Sequence, residues 1–202
     1  MSMVVVDIGC SNLKSLKNAL DFINCDYKVS SCSKVISSAS RLILPGVGAF
    51  STAMKRMDEL GLEEVIFSSV IHANIPILGI CLGMQLLSNS SLENGLHKGL
   101  KLLNGNTELM QTESLDHKVP HFGWRGLKII DDNSLLLKGI CPDDQFYFVH
   151  SYHYNGDHIS STFSHGIEFA ASVEYKNIFG VQFHPEKSRD AGLRILRNFA
   201  RL

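Results

Sequence analysis

Over the first third of the chain, short apolar runs typical of strands alternate with apolar residues at helical spacing. "MVVVDI" is a short β-branched run that predicts a strand, and residues 12–24 then repeat apolar side chains at helical spacing. "YKVSS" and "RLILP" predict two further short strands. The apolar face of the helix is formed by Leu13, Leu16, Leu20 and Ile23.

Two more helical patterns precede a strand that is apolar throughout. The first begins at Phe50 and stops before Gly61, a residue that favours helix ends, and the second covers residues 62–71. "IPILGI" at 75–80 suits a strand covered on both faces of a sheet, and helix-compatible residues resume at Leu82. The apolar positions of the two helices are Phe50, Ala53, Met54, Met57 and Leu60, then Leu62, Val65, Ile66 and Ile71.

Beyond residue 100 the chain is richer in short β-like segments. "GLKII", "QFYFVHSYHY", "EFAASVEY" and "NIFGVQF" predict strands, "LMQTESLDHKVP" (109–120) predicts an exposed connection, and "SRDAGLRILRNFARL" predicts a final amphipathic helix. We therefore expect an α/β fold with a mostly parallel central sheet, flanking helices and a β-rich second half. A chain of 202 residues without a linker-like stretch predicts one domain over residues 1–202.

Charge and composition exclude several classes of function. Lys and Arg number 19 against 20 Asp and Glu, which leaves no basic field for nucleic acid or for a membrane surface. No stretch approaches about 18 apolar residues and the start lacks a signal-peptide pattern, so we expect a cytoplasmic protein. Five cysteines without a C-x-x-C pair argue against a disulfide framework and a cysteine zinc site. A functional cysteine would therefore act as a thiolate.

"GICLG" (79–83) places Cys81 at the predicted turn from strand to helix. Gly79 and Gly83 would relieve side-chain clashes around such a turn, which is the pattern of an exposed nucleophile. The first amides of the helix would favour the thiolate, and the Leu82 amide would face a developing oxyanion. Taken alone, the motif fits a buried structural cysteine equally well.

"GVQFHPEKS" (180–188) supplies a candidate base for that thiol. Glu186 follows His184 by two residues and can turn back to fix the imidazole tautomer, while the other ring nitrogen faces Cys81. Pro185 stiffens the link. Seen alone, the same residues fit a strand end followed by a solvated carboxylate.

The two motifs together resemble those of the class I glutamine amidotransferases, and the resemblance covers nearly the whole chain. Within that family, "SNLKSLKNAL", "LPGVGAF", "GICLGMQLL", "PHFGW", "FYFVHSY" and "GVQFHPEKS" are similar to the glutaminase subunits of imidazole glycerol phosphate synthases. The resemblance implies a catalytic triad of Cys81, His184 and Glu186 that hydrolyses glutamine to glutamate and ammonia without a cofactor. It also implies a heterodimer with a (β/α)₈ cyclase subunit, which uses the ammonia in histidine biosynthesis.

The same resemblance assigns the glutamine contacts. "LPGVGAF" corresponds to the oxyanion strand, whose glycines let backbone amides approach a ligand and let the 45–48 peptides turn cheaply. We therefore expect a weak glutaminase until a loaded partner reorients them. Gln85 lies one helical turn after Cys81, and Glu93 corresponds to the carboxylate that meets the substrate's α-amino group. The implied binding positions are Gly46, Val47, Gly48, Leu82, Gln85, Glu93, Ser151 and Tyr152.

Paired histidines raise the question of a metal. His117 and His121, like His150 and His153, are three or four residues apart, but they lie in strand-like or loop segments without a third ligand at a recognisable spacing. We therefore expect no metal.

The resemblance also places Asn12, Trp124 and Arg125 at the partner interface. Arg125 stands where the family usually has asparagine, and in "DIGCSN" Ile8 and Ser11 replace a tyrosine and a glycine of the family pattern. These departures lie where we expect partner contacts, and they leave the partner's identity open.

Three alternatives remain open from the sequence. A paralogous glutaminase could feed a cyclase-like partner that aminates a surface-polysaccharide sugar, which complementation of a histidine auxotroph would distinguish. A non-catalytic binding subunit of the same fold would leave Cys81 unreactive toward a glutamine-analogue electrophile. A cysteine hydrolase acting on another amide is disfavoured by the match at Gln85 and Glu93.

Overall fold

The fold was determined as a computed structural model that describes residues 2–112 and 118–202. Residues 113–117, within the predicted connection 109–120, lie outside the described residues. The helices are α1 (Leu13–Phe22), α2 (Ser33–Ser37), α3 (Phe50–Glu59), α4 (Glu63–Ile71), α5 (Leu82–Leu86) and α6 (Arg189–Ala200). The strands of the first half are β1 (Met3–Val6), β2 (Tyr27–Ser30), β3 (Arg41–Gly46), β4 (Ile77–Cys81), β5 (Ser90–Ser91) and β6 (His97–Lys98).

The described residues of the second half add eight strands. They are β7 (Gly105–Leu109), β8 (His121–Arg125), β9 (Lys128–Ile129), β10 (Phe146–His150), β11 (Tyr152–Gly156), β12 (Ile159–His165), β13 (Ile167–Tyr175) and β14 (Ile178–Val181).

An eight-stranded sheet in the order β2-β1-β3-β4-β14-β13-β12-β9 forms the centre of the molecule. Neighbours from β2 to β14 are parallel, and those from β14 to β9 are antiparallel. The prediction of a mostly parallel sheet with a β-rich second half is therefore confirmed. Because β4 and β14 are parallel neighbours, the segments that follow them meet at one edge of the sheet.

Helices cover both faces of the sheet, and neighbouring residues of a strand point to opposite faces, so each strand packs on both layers of helices. Val4 and Val6 pack with α3 and α4 in one hydrophobic cluster, whereas Met3 and Val5 pack with α1 and α6 in the other. This arrangement accounts for the continuous apolar runs of β1, β3 and β4.

Two smaller sheets lie beside the central one. β10 pairs with β8, and β11, β7, β5 and β6 form a four-stranded sheet. The predicted strand "QFYFVHSYHY" is thus divided at Ser151 between two sheets. No helix in the described parts of the chain combines the length and apolarity needed to cross a membrane.

Candidate active site

Cys81 lies at a sharp turn between β4 and α5. Its backbone has φ 54° and ψ −111°, a conformation that side-chain-bearing residues adopt at a cost of about 1–3 kcal/mol. The strand ends at Cys81 and the helix begins at Leu82. The strained turn therefore presents the thiol at the edge of the sheet.

The glycines around Cys81 are required by close backbone packing. A Cβ on Gly83 would lie 1.7 Å from the Leu44 carbonyl oxygen, and one on Gly79 would lie 2.7 Å from the Gly83 carbonyl oxygen. A Cβ on Gly46, at the end of β3, would lie 2.9 Å from the Gly83 amide nitrogen. The G-x-C-x-G pattern thus lets the start of α5 pack directly on β3 and β4.

His184 and Glu186 follow β14, the strand beside β4. The His184 Nδ1 lies 2.9 Å from a Glu186 carboxylate oxygen, and the two side chains are 4% and 6% exposed. Burial lowers the pKa of His184, but its interactions with Cys81 and with the Glu186 carboxylate outweigh burial and raise the pKa to about 10. The imidazole is therefore held in its protonated form near neutral pH.

A cavity of about 280 Å³ opens above the Cys81 sulfur. Gly46 and Glu186 are not among its lining residues, since Gly46 pairs with Cys81 across the sheet and Glu186 lies behind His184. Every other residue expected to act in catalysis or to bind glutamine lines this cavity. Its walls are formed by Val47, Gly48, Cys81, Leu82, Gln85, Glu93, Val149, His150, Ser151, Tyr152 and His184.

Gln85 and Glu93 offer acceptors to this cavity. Gln85 uses its amide nitrogen to donate to the Tyr152 carbonyl oxygen at 2.8 Å and to Gln182 Oε1 at 3.1 Å, which leaves its own Oε1 as an acceptor. Glu93 accepts the Phe50 N–H at 2.7 Å through one carboxylate oxygen. The start of α3 therefore orients Glu93, and the pair suits a ligand with an ammonium group.

The Val47 amide does not face the cavity. Its N–H donates to the Cys10 carbonyl oxygen at 2.7 Å. Leu82 is the first residue of α5, where helix geometry leaves the amide without a carbonyl partner in its own helix. The Leu82 amide beside Cys81 is thus without a partner in its own helix, whereas the Val47 N–H is bonded away from the cavity.

Sequence reasoning missed Gln182, which the structure places beside the Cys81 sulfur. Its side chain is fully buried and its Nε2 lies 3.7 Å from the Cys81 sulfur. The signal was present in "GVQFHPEKS", because residues two apart on an extended strand point to the same side. β14 itself ends at Val181, and Gln182 and His184 follow it directly.

A cluster of buried imidazoles lies behind the cavity. The His121 ring lies 4.3 Å from the His165 ring and 5.7 Å from the His150 ring, centroid to centroid. Burial is the main cause that lowers the pKa of His121 to about 4 and that of His150 to about 3. Within residues 2–112 and 118–202, no group of three His, Cys, Asp or Glu side chains is arranged to hold a metal, and His117 lies outside that range.

Residues expected at the partner interface are accessible, with one correction. Trp124 is 36% exposed, packs under the Arg189 guanidinium at 4.9 Å, and accepts a hydrogen bond from Arg125 on its carbonyl oxygen. Asn12 is exposed at the start of α1. Ile8 is fully buried in the core, so the expectation that it contacts a partner is wrong.

Known proteins resemble the chain over its full length. A model of the family "Glutamine amidotransferase class-I" matches residues 4–202. A Vibrio vulnificus protein named imidazole glycerol phosphate synthase subunit HisH 2 is 45% identical over 98% of this chain and 94% of that protein. The corresponding subunit HisH of Caldanaerobacter subterraneus is 42% identical over 98% of this chain and 97% of that protein.

Solved structures share the fold at lower identity. A crystal structure described as a glutamine amidotransferase has a TM-score of 0.73 at 18% identity, and the match covers 98% of this chain and 99% of that one. The PurLQS structure from Thermotoga maritima has a TM-score of 0.70 at 21% identity, with 100% and 99% covered. These two likenesses concern the fold alone.

Proposed function

The chain belongs to the class I glutamine amidotransferase family, and from that premise we propose that it is the glutaminase subunit of an imidazole glycerol phosphate synthase. It hydrolyses glutamine to glutamate and ammonia and passes the ammonia to a cyclase subunit in histidine biosynthesis. The observation that carries the catalytic part is the position of Cys81, strained at the end of β4 and flanked by the buried His184–Glu186 pair.

The proposed reaction begins with the Cys81 thiolate attacking the side-chain amide carbon of glutamine. The carbonyl electron pair moves to the oxygen, and the Leu82 amide donates to the oxyanion that forms. His184, protonated and held by Glu186, gives its proton to the departing nitrogen, and the C–N bond breaks to release ammonia. A thioester joins the glutamyl group to Cys81.

Hydrolysis of the thioester completes the cycle. The neutral His184 takes a proton from water, the hydroxide attacks the thioester carbon, and the C–S bond breaks to release glutamate and the thiolate. Glu186 stabilises the imidazolium that results. Gln85 Oε1 and the Glu93 carboxylate accept hydrogen bonds from the substrate's α-ammonium group, which fixes glutamine along the cavity.

The Val47 peptide provides a basis for control by the partner. Its N–H is bonded to the Cys10 carbonyl oxygen, so a second oxyanion donor requires that this hydrogen bond break and the peptide turn. That N–H belongs to the Gly46–Val47 peptide, and Gly46, which carries no side chain, allows this peptide to turn. Binding of a loaded cyclase at the surface of the exposed Asn12 and Trp124 and the half-buried Arg125 would favour the turned state.

Glutamate release tests this function. The purified chain is assayed alone, with the histidine-pathway cyclase, and with the cyclase and its nucleotide ligand, with Cys81→Ala as the blank. We expect weak hydrolysis by the chain alone and strong activation by the loaded cyclase. Cys81-dependent hydrolysis without activation would point to another acceptor, such as a sugar-aminating partner, and no hydrolysis in any mixture would contradict the enzyme assignment.

A further inference from the structure

A chain of hydrogen bonds joins the backbone of β11 to the Cys81 sulfur. The Tyr152 carbonyl oxygen accepts from Gln85 Nε2 at 2.8 Å, and the same nitrogen donates to Gln182 Oε1 at 3.1 Å. Gln182 Nε2 then lies 3.7 Å from Cys81 Sγ. Gln85 is 5% exposed and Gln182 is fully buried, so water does not compete for these groups.

The carbonyl of Tyr152 fixes the direction of every hydrogen bond in this chain. A carbonyl oxygen can only accept, so Gln85 must present its NH₂ group to Tyr152. The second hydrogen of that NH₂ faces Gln182, which must therefore present its oxygen. The Gln182 NH₂ group is left facing the sulfur, and an amide flip would place two oxygens or two NH₂ groups against each other.

Two further contacts hold the chain in place. His150 donates its Nδ1–H to the same Tyr152 carbonyl oxygen at 2.9 Å, so both lone pairs of that oxygen are used. The Gln182 backbone N–H is bonded to the Ala171 carbonyl oxygen at 2.8 Å, which fixes its position beside β13. The amide is thus preorganised rather than drawn in by substrate.

A fixed N–H donor beside a sulfur favours its anionic form. A hydrogen bond to an ionised acceptor is about twice as strong as one between neutral groups, and burial strengthens it further. The Val149 carbonyl oxygen, 4.0 Å from the sulfur, is an acceptor and can interact only with the protonated thiol. The Gln182 N–H has the opposite preference, because it favours the anionic sulfur.

We propose that Gln182 is a positioning residue that donates a hydrogen bond to Cys81 Sγ and, anchored through Gln85 to the Tyr152 carbonyl, keeps the sulfur in its nucleophilic state. The proposal deepens the glutaminase function and rests on it for its biological meaning. His184 supplies and removes protons, whereas Gln182 has none to exchange and acts through its dipole. The two side chains reach the sulfur from the same strand end.

Alkylation of Cys81 by iodoacetamide tests the proposal without requiring glutamine. The full chain is treated between pH 6 and 10, and the rate at each cysteine is read by peptide mass spectrometry. The exposed Cys32 and Cys141 serve as internal references for reagent and pH. In Gln182→Met we expect the Cys81 rate near pH 7 to fall about tenfold and the rate near pH 10, above the pKa of an ordinary thiol, to change less than about twofold.

Gln182→Glu is a second variant that can overturn the proposal. The glutamate keeps an oxygen for Gln85 and nearly the same volume, but it places a negatively charged acceptor in front of the sulfur, which disfavours the thiolate. This variant should be at least as slow as Gln182→Met near pH 7, and a wild-type rate would show that the group at position 182 does not act on the sulfur. Gln145→Met, at an exposed position, is the matched control and should leave every rate unchanged.

The outcomes distinguish this proposal from the proposed function. Rates lowered equally at pH 7 and pH 10, or a wild-type rate in Gln182→Glu, would overturn the role of Gln182 even if glutamine is hydrolysed. If the Gln182 variants lose alkylation near pH 7 but not near pH 10, and the wild-type chain never hydrolyses glutamine, the glutaminase assignment is overturned and the proposed hydrogen bond to Cys81 stands. Thermal unfolding of each variant shows whether it is folded, and if Gln182→Met is not, Gln182→Glu alone decides.

Discussion

The buried histidines in and behind the site have pKa values shifted in opposite directions by their neighbours. His184 is buried, yet its pKa is raised to about 10 because Cys81 and Glu186 offset the cost of burying the charge. His121 and His150 are buried without a carboxylate partner among the described residues, and their pKa values are lowered to about 4 and about 3. Histidines of one molecule thus titrate on opposite sides of neutral pH.

Replacement of Glu186 by glutamine should move the alkaline limit of glutamine hydrolysis. His184 must be protonated to act as the acid, and in the wild type it loses its proton only near pH 10. Glu186→Gln removes the carboxylate, so the alkaline limb of the kcat profile should move down by about one pH unit or more and kcat should fall about 100-fold. Steady-state rates between pH 6 and 10 measure both effects, and an unmoved limb would contradict the role of Glu186.

Acid should destabilise the fold through His121 and His150. Their pKa values are lowered on folding from 6.5, so the unfolded chain binds more protons and stability is lost as the pH falls below about 6.5. Between pH 7 and pH 5 each should cost about 1–2 kcal/mol of unfolding free energy. His121→Phe removes one titrating group from an aromatic cluster that includes Phe148 and Phe163.

Urea unfolding at the two pH values measures this loss. We expect His121→Phe to lose about half as much stability as the wild type between pH 7 and pH 5, whatever its stability at pH 7. His72→Phe changes an exposed histidine and should lose as much as the wild type. Equal losses in all three chains would show that His121 does not set the acid limit.

The two motifs and their family resemblance predicted the triad, but the sequence does not show which polar groups bond to each other. Cys81, His184 and Glu186 belong to short motifs that fix their relative positions, and Gln182 shares the second motif. Its role was missed because the amide partners, Gln85 and Tyr152, come from distant parts of the chain. Only the folded sheet shows that Gln182 faces the sulfur.

At the scale of elements, the spacing of apolar residues predicted those helices and strands that bury a continuous face. α1, α3, α4 and α6 and the strands of the parallel sheet agree with their patterns. α2, with five residues and one buried side chain, Ile36, is too short to show a helical period. "QFYFVHSYHY" reads as one strand because alternation continues across Ser151, whereas pairing partners that are distant in sequence divide it into β10 and β11.

Gly83→Ala should disrupt the turn that carries Cys81. The new Cβ would lie 1.7 Å from the Leu44 carbonyl oxygen, in backbone that cannot move without separating α5 from β3. We expect a loss of more than about 3 kcal/mol of unfolding free energy or no folded protein. Thermal unfolding followed by far-UV circular dichroism measures it.

Gly61→Ala is the matched control for that substitution. Gly61 has φ +63° with no atom within 4 Å of its Cβ position, so alanine there meets backbone strain and no clash. The expected cost is about 1 kcal/mol. Similar losses in the two variants would mean that α5 can shift away from β3, contrary to the packing argument.

At the scale of the whole molecule, the cavity and the exposed aromatic surface are connected through Tyr147. Its ring lies 5.7 Å from Trp124, 5.6 Å from Phe122 and 6.4 Å from His184, centroid to centroid. A partner seated on Phe122 and Trp124 would therefore press on a side chain that adjoins the triad. The sequence predicted Trp124 through its motif, but it did not reveal Phe122, which is 69% exposed.

Truncation of this surface should weaken the complex with the cyclase while leaving the isolated site intact. Large aromatic side chains at the centre of an interface contribute about 2 kcal/mol or more, so Phe122→Ala and Trp124→Ala should each raise the Kd about 10- to 30-fold. Phe22→Ala is the matched control, since Phe22 is 67% exposed at the end of α1. Isothermal titration calorimetry gives the Kd, and iodoacetamide alkylation of Cys81 in each free variant shows whether the site is unchanged. A Kd unaffected by Phe122→Ala and Trp124→Ala, or lowered affinity in Phe22→Ala as well, would place the partner elsewhere, and the turn of the Val47 peptide would then need another trigger.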